Sequence, residues 1–263
     1  MRLKNKVTVI SLIAICLCAL VGCSSKESES NYKRNATLES KTLSEIIYNS
    51  AKVSNEDPKK TYSKIAYITI DDGPSQYTDE MVKILKDNNV NATFFMINGN
   101  MKEYPQQVKN ALESGNSIGF HSVSHDIHKL YKSTTSAKEE FDVCEKTYQN
   151  ITGETSNLIR LPFGSKPYTP QSSYDAIVDA GYKIWDWNID TEDWKSTSPQ
   201  IMQNIQTYAK GDEIVVLIHE RKQTVAVLDD IIKYLKSQGY EILPITQTQQ
   251  EQNYWNQKLG SKS

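Results

Sequence analysis

Side chains able to bind a metal ion or move a proton fall at a few marked places in the chain. Asp71 and Asp72 stand together in Thr69-Ile70-Asp71-Asp72-Gly73-Pro74, and two histidines bracket His121-Ser122-Val123-Ser124-His125. Arg160 opens Arg160-Leu161-Pro162-Phe163-Gly164, Asp190 and Asp193 lie in Asp190-Thr191-Glu192-Asp193-Trp194, and His219 ends Leu217-Ile218-His219. Adjacent carboxylates repel unless a cation or a proton separates their roles, and Gly73-Pro74 makes a tight turn that would fix both at one rim. Two histidines four apart share a face if the segment turns helically, which suits two ligands of one ion. Each motif alone has an ordinary alternative: an Asp-rich surface turn, or a surface or core histidine pair. One carboxylate with two histidines leaves a fourth position open, the pattern of a catalytic rather than a structural zinc. Of four histidines in the chain, three cluster within eight positions, His128 being the third and a candidate to assist.

The elements that must position these residues read as alternating short strands and helices. Strands are expected at 65–70, 93–97, 117–120, 157–161, 183–188, 213–219 and 241–245. Helices are expected at 78–88, 105–114, 137–150, 172–180, 199–209 and 225–237. Gly115, Gly153, Gly181, Gly211 and Gly239 follow helices, where a left-handed C-cap is wanted. Strands separated by helices imply parallel pairing, and about seven such repeats predict an α/β fold, an irregular (β/α) barrel. The unusual polar residues sit repeatedly at the C-terminal ends of these strands, the face of such a barrel that carries an active site.

In order and spacing these motifs resemble the polysaccharide deacetylase family (the NodB homology group, carbohydrate esterase family 4), over roughly residues 64–245. Residues 69–73 are similar to its first motif, with Ile70 where Phe is usual. Residues 121–125 match the second, 160–164 the third with Phe163 where Tyr is commoner, 190–194 the fourth and 217–219 the fifth. The resemblance implies that Asp72, His121 and His125 hold Zn²⁺, or another divalent metal such as Co²⁺ or Ni²⁺. Such an ion acidifies water and polarises a carbonyl. It further implies that Asp71 is the general base, that Arg160 keeps Asp71 ionised and oriented, and that the Phe163 N–H stabilises the oxyanion. His219 would protonate the leaving amine, with Asp193 raising its pKa. Trp194 and Leu217 would line the groove around the acetyl methyl group. Asp190 either joins the site or caps the turn that follows it. Trp185 and Trp187 read as core or groove wall.

The rest of the chain bounds these expectations. With 263 residues, 38% hydrophobic and 24% charged, it suits one folded domain with polar trimming. A formal charge of −2 and no basic run make nucleic acid an unfavourable partner. Arg2, Lys4 and Lys6 precede an apolar run at 7–21, the layout of a secretory signal peptide and too short for a membrane span of about 20 residues. Leu20-Val21-Gly22-Cys23 resembles a bacterial lipoprotein signal, with Cys23 as the lipidated N-terminus. Cleavage there would take the formal charge to −5 and remove Cys16 and Cys18. A disulfide framework is thereby excluded, and Cys144 reads as a core-packed helix residue.

The expected organisation is a signal peptide at 1–22, a lipid-anchored polar tether at 23–60, a catalytic domain at 61–247 and a polar, frayed tail at 248–263. The tether has room for one amphipathic helix through Leu43, Ile46 and Ile47. Function is expected to be removal of N-acetyl groups from a cell-surface polysaccharide by a protein anchored outside the cell membrane, with no protein partner implied. An O-acetyl glycan esterase and a glycan-binding lipoprotein without turnover are the competing readings.

Overall fold

The computed structural model describes residues 62–259. Its elements run β1 (Ile65–Asp71), α1 (Thr78–Asp87), β2 (Thr93–Met96), α2 (Asn98–Glu103), α3 (Pro105–Glu113), β3 (Ser117–Phe120), α4 (Ile127–Leu130) and α5 (Ser136–Thr152). They continue with β4 (Leu158–Ile159), α6 (Gln171–Asp179), β5 (Lys183–Ile184), β6 (Ile189–Asp190), α7 (Ser198–Tyr208), β7 (Glu213–His219), α8 (Lys222–Ser237) and β8 (Glu241–Ile242). The sheet is parallel in the order β5-β4-β3-β2-β1-β7-β6, and β8 joins the start of β1.

Chain connectivity forces this sheet to curl. Laid flat, seven strands would separate β5 from β6 by roughly 29 Å. Four residues, 185–188, join Ile184 to Ile189, and even fully extended they reach about 18 Å. The two edges must therefore turn toward each other, giving the irregular (β/α) barrel expected. This also corrects the single strand expected at 183–188. Its first residues pair with β4 and its last with β7, so the middle crosses the seam of the barrel.

Alternation along the long strands divides two cores. In β1 the residues Ala66, Ile68 and Ile70 face the helices, as do Ile214, Val216 and Ile218 of β7, packing in one cluster with Leu85 of α1 and Leu228 and Ile231 of α8. The opposite parity, Tyr67 with Val215 and Leu217, fills the barrel interior beside Phe95, Leu158, Trp185 and Trp187. Each such side chain contributes about 1.5–3 kcal/mol on full burial. Cys144 lies buried on α5, as expected, and it is the free cysteine among the described residues.

Two short helices, α2 and α4, were not foreseen, because neither is long enough to show a 3.6-residue apolar period. The tail differs more. Expected to be frayed, residues 248–259 instead lie on the barrel: Leu259 joins the interior cluster and Asn253 is fully buried. The Asp186 N–H donates to the Gln252 carbonyl, and Asn253 Nδ2 donates to the Ile184 carbonyl. The Gln252 carbonyl and the Asn253 side chain thus satisfy backbone groups left unpaired at the seam. The signal peptide, Cys23, the tether and its expected helix lie outside the described residues.

Candidate active site

β1 and β7 run in register to their last residues, so Asp71 pairs directly with His219. The turn beyond β1 carries Asp72 with φ 71°, and the loop beyond β3 brings back His121 and His125. That loop is not helical, as the four-residue spacing had implied. Ser122 and His125 both adopt positive φ (71° and 48°), and the turn is closed by the His125 N–H donating to Ser122 Oγ. A shared helical face is thus replaced by a tight loop with the same result. His121 Nε2 and His125 Nε2 lie 3.7 and 3.5 Å from Asp72 Oδ1.

These three residues form a group able to hold a metal ion, their donor atoms all within 4.8 Å of one another. Ligand atoms around a tetrahedral ion bonded at about 2.0–2.1 Å stand roughly 3.3 Å apart, close to the spacings seen. Asp72 Oδ1 is buried without a hydrogen-bond partner, which is costly unless a cation satisfies it. His121 Nδ1 lies 2.8 Å from the Arg160 carbonyl, and donating there leaves Nε2 as the free lone pair toward Asp72. Burial lowers the His121 pKa despite the pull of Asp71 and Asp72, favouring the neutral ring that a metal requires.

Arg160 is wholly buried directly after β4. Its Nη1 donates to Asp71 Oδ1 at 2.9 Å and to Thr69 Oγ1 at 2.6 Å, Nε to the Trp185 carbonyl and Nη2 to the Asp186 carbonyl. The guanidinium also lies 4.4 Å from the centre of the Phe95 ring. Asp71 is therefore a buried carboxylate with one oxygen fixed by Arg160 and the other, Oδ2, 3.7 Å from His121 Nε2. Across the site His219 Nδ1 meets Asp193 Oδ1 at 2.6 Å, while Asp193 Oδ2 accepts from the His219 N–H and Thr224 Oγ1. Burial alone would lower the His219 pKa. The hydrogen bond and charge of Asp193, with Asp71 and Asp72 behind it, raise it above its ordinary value.

The rim is aromatic. Phe163 is half exposed and sits edge-on to His125 at 5.0 Å and to the exposed Tyr168 at 6.2 Å. Trp194 stands exposed, and Leu217 is buried in the interior cluster, one inward position before His219. Two candidates fall outside this group. His128 is exposed on α4 and is not one of the three clustered residues, and Asp190 Oδ1 caps the Glu192 N–H.

A peptidoglycan-N-acetylglucosamine deacetylase of Bacillus cereus is 39% identical to this chain over 186 residues, 68% of each chain. This chain belongs to the polysaccharide deacetylase family. The family model for polysaccharide deacetylases matches residues 58–185, and these enzymes are metal-dependent hydrolases of amide bonds. The peptidoglycan-N-acetylglucosamine deacetylase PgdA of Listeria monocytogenes is 34% identical over 215 residues, 80% of this chain but 44% of that one. The crystal structure of the polysaccharide deacetylase Bc1974 from Bacillus cereus superposes with a TM-score of 0.71 at 36% identity, covering 74% of this chain and 99% of that one.

The deacetylase fold also recruits residues that its motifs did not reveal. Glu140 of α5 accepts the Val123 and Ser124 N–H groups, both at 2.9 Å, and so holds the histidine loop from outside. Asn100 of α2 donates to the Asp72 carbonyl at 2.6 Å. Glu220 accepts from Ser75 Oγ and Thr78 Oγ1, and its carboxyl occupies the space that a Cβ on Gly73 would need. Burial raises the Glu220 pKa. A polar residue on a helix facing an unknown loop carries no local signal. Only Glu220, next to His219, stood where a search could have found it.

Proposed function

We propose that this deacetylase removes the N-acetyl group of GlcNAc, or of neighbouring MurNAc, in peptidoglycan at the outer face of a bacterial cell, releasing acetate. The observation carrying this reading is one rim that joins a three-donor cation site, a buried Asp71–Arg160 pair and a His219–Asp193 pair. The peptidoglycan substrates named for the Bacillus cereus and Listeria monocytogenes relatives support the glycan chosen.

Asp72, His121 and His125 would hold Zn²⁺, or a similar divalent ion such as Co²⁺ or Ni²⁺. When bound, the ion supplies Lewis-acid chemistry and makes water more acidic. Asp71 takes the proton of the attacking water, held in place by the Arg160 guanidinium. The Phe163 N–H donates to the developing oxyanion. His219 delivers a proton to the departing amine, and the hydrogen bond and charge of Asp193 favour the charged ring that this step needs. Phe163 and Trp194 flank the sugar, with Leu217 beneath the acetyl methyl. Residues 1–22 serve as a signal peptide and 23–60 as a tether from a lipid on Cys23, which places the enzyme against its polymeric substrate.

The test is acetate release from intact peptidoglycan and from a chitin oligosaccharide by a form beginning at Ser24, with zinc, with chelator and as Asp72→Ala. Acetate should fall at least about 10³-fold with chelator and in the variant, which should also lose tight zinc binding. Acetate release indifferent to both would overturn the metal reading. Turnover of O-acetyl glycans alone would move the assignment to an esterase.

A further inference from the structure

The loop after β4 holds the part of the site that is hardest to keep in place. Phe163 adopts φ 66° and Gly164 φ 86°. A left-handed conformation at a non-glycine residue costs of order 1–3 kcal/mol and persists only where its surroundings over-determine it. Here part of the surroundings comes from the C-terminal segment, about ninety residues away. The Asp186 carboxylate accepts the N–H and the hydroxyl of Ser165 and also the Tyr254 N–H. Trp255 Nε1 donates to the Ser165 carbonyl at 3.0 Å. Both ends of Ser165, itself fully buried, are thereby tied down. A Cβ on Gly164 would meet the Tyr254 ring at 3.1 Å and Trp187 at 3.3 Å, so the turn is pressed against the tail with no slack. The Trp255 indole is held in turn, stacked on Tyr174 of α6 at 4.8 Å and covered by the Lys166 ammonium at 4.4 Å.

We propose that Trp255 is a positioning residue for the deacetylation step, and that the C-terminal segment is a working wall of the active site. It sets the strained turn that aims the Phe163 N–H and seats the Phe163–Tyr168 rim. The inference rests on the oxyanion role given to Phe163 above. The cation site hangs on other elements, Asp72 on the turn after β1 and His121 and His125 on the 121–125 loop, and it meets this wall where the Phe163 ring lies against His125.

The experiment compares the full-length protein with Trp255→Ala and Trp255→Phe. Four quantities are read: kcat and KM for acetate release from a chitin oligosaccharide, zinc affinity by chelator competition, melting temperature, and amide exchange at 163–169 against 121–125. Trp255→Ala should lower kcat about 10- to 100-fold, leave zinc affinity within about twofold, and speed exchange at 163–169 alone. Trp255→Phe keeps the stacking and the Lys166 contact but loses the N–H, and should recover part of kcat. A lower melting temperature with kcat of the folded protein unchanged would reduce Trp255 to a stabilising residue and overturn the proposal. Loss of zinc affinity, or faster exchange at both segments, would overturn it equally, since the effect would not be confined to this wall. If the wild type released no acetate from any glycan, the functional reading would fall. The exchange pattern would then still decide whether Trp255 holds the turn.

Discussion

Along β1 and β7, seven residues of each strand lie in unbroken register, from Ile65 opposite Glu213 to Asp71 opposite His219. Across the barrel, β4, β5 and β6 offer two residues apiece. The first pair delivers Asp71, Asp72 and His219 on the ends of a full backbone ladder. The second arc delivers Arg160, Phe163 and Asp193 with almost no ladder, and buried polar side chains stand in for it: Arg160 spans four acceptors, Asp186 gathers three donors and Asn253 reaches the Ile184 carbonyl. Backbone pairing needs no particular side chain, whereas these networks fail when one member is lost. Substitutions should therefore be felt very differently on the two sides.

The largest effect is expected at Arg160→Met. Removing the cation strands the buried Asp71 charge and two carbonyls, a loss of about 3–5 kcal/mol. A protein of this size should melt roughly 10 °C lower in a thermal scan, with acetate release close to background. A variant that melted like wild type would show that the arc does not depend on its side chains. Next comes Asp193→Asn, which should lower kcat about 10²-fold or more. The acid role proposed for His219 requires its protonated form, so activity is expected to fall as pH rises through the His219 pKa, held above its ordinary value by Asp193. Without that charge the alkaline limb of kcat against pH should move to lower pH. A limb that stayed in place would assign it to another group. The smallest effect is expected on the laddered side: Ile218→Val, in the fully buried outer core, should cost about 0.5–1.5 kcal/mol and leave kcat unchanged. A matching fall in kcat would erase the contrast.

The same contrast explains what could be read in advance. Strands β1 and β7 carry a clear apolar run and end in the reactive residues, so their extent, and the gathering of polar residues at their C-terminal ends, were legible from residue types and spacing. The strand expected at 183–188 was not legible, because two edges competing for one short segment is a closure property with no local trace. Nor was the histidine loop, whose positive-φ residues are Ser122 and His125 rather than glycine. Glu140, Asn100 and Asp186 act on loops distant in the chain, and the tail's Asn253 and Trp255 looked like ordinary polar trimming.

By itself, then, the sequence determined the alternating elements, the α/β class, the five chemical motifs and the family they belong to. Each of these is written in neighbouring residues, through apolar period, turn chemistry and donor type. Tertiary structure alone decided how the barrel seam closes, how the histidine loop turns, which outer residues brace it, and that the C-terminal segment packs against the turn at 163–165. Those outcomes depend on contacts between residues tens to about 180 positions apart, where chain closure and buried hydrogen bonding, rather than local preference, set the energy.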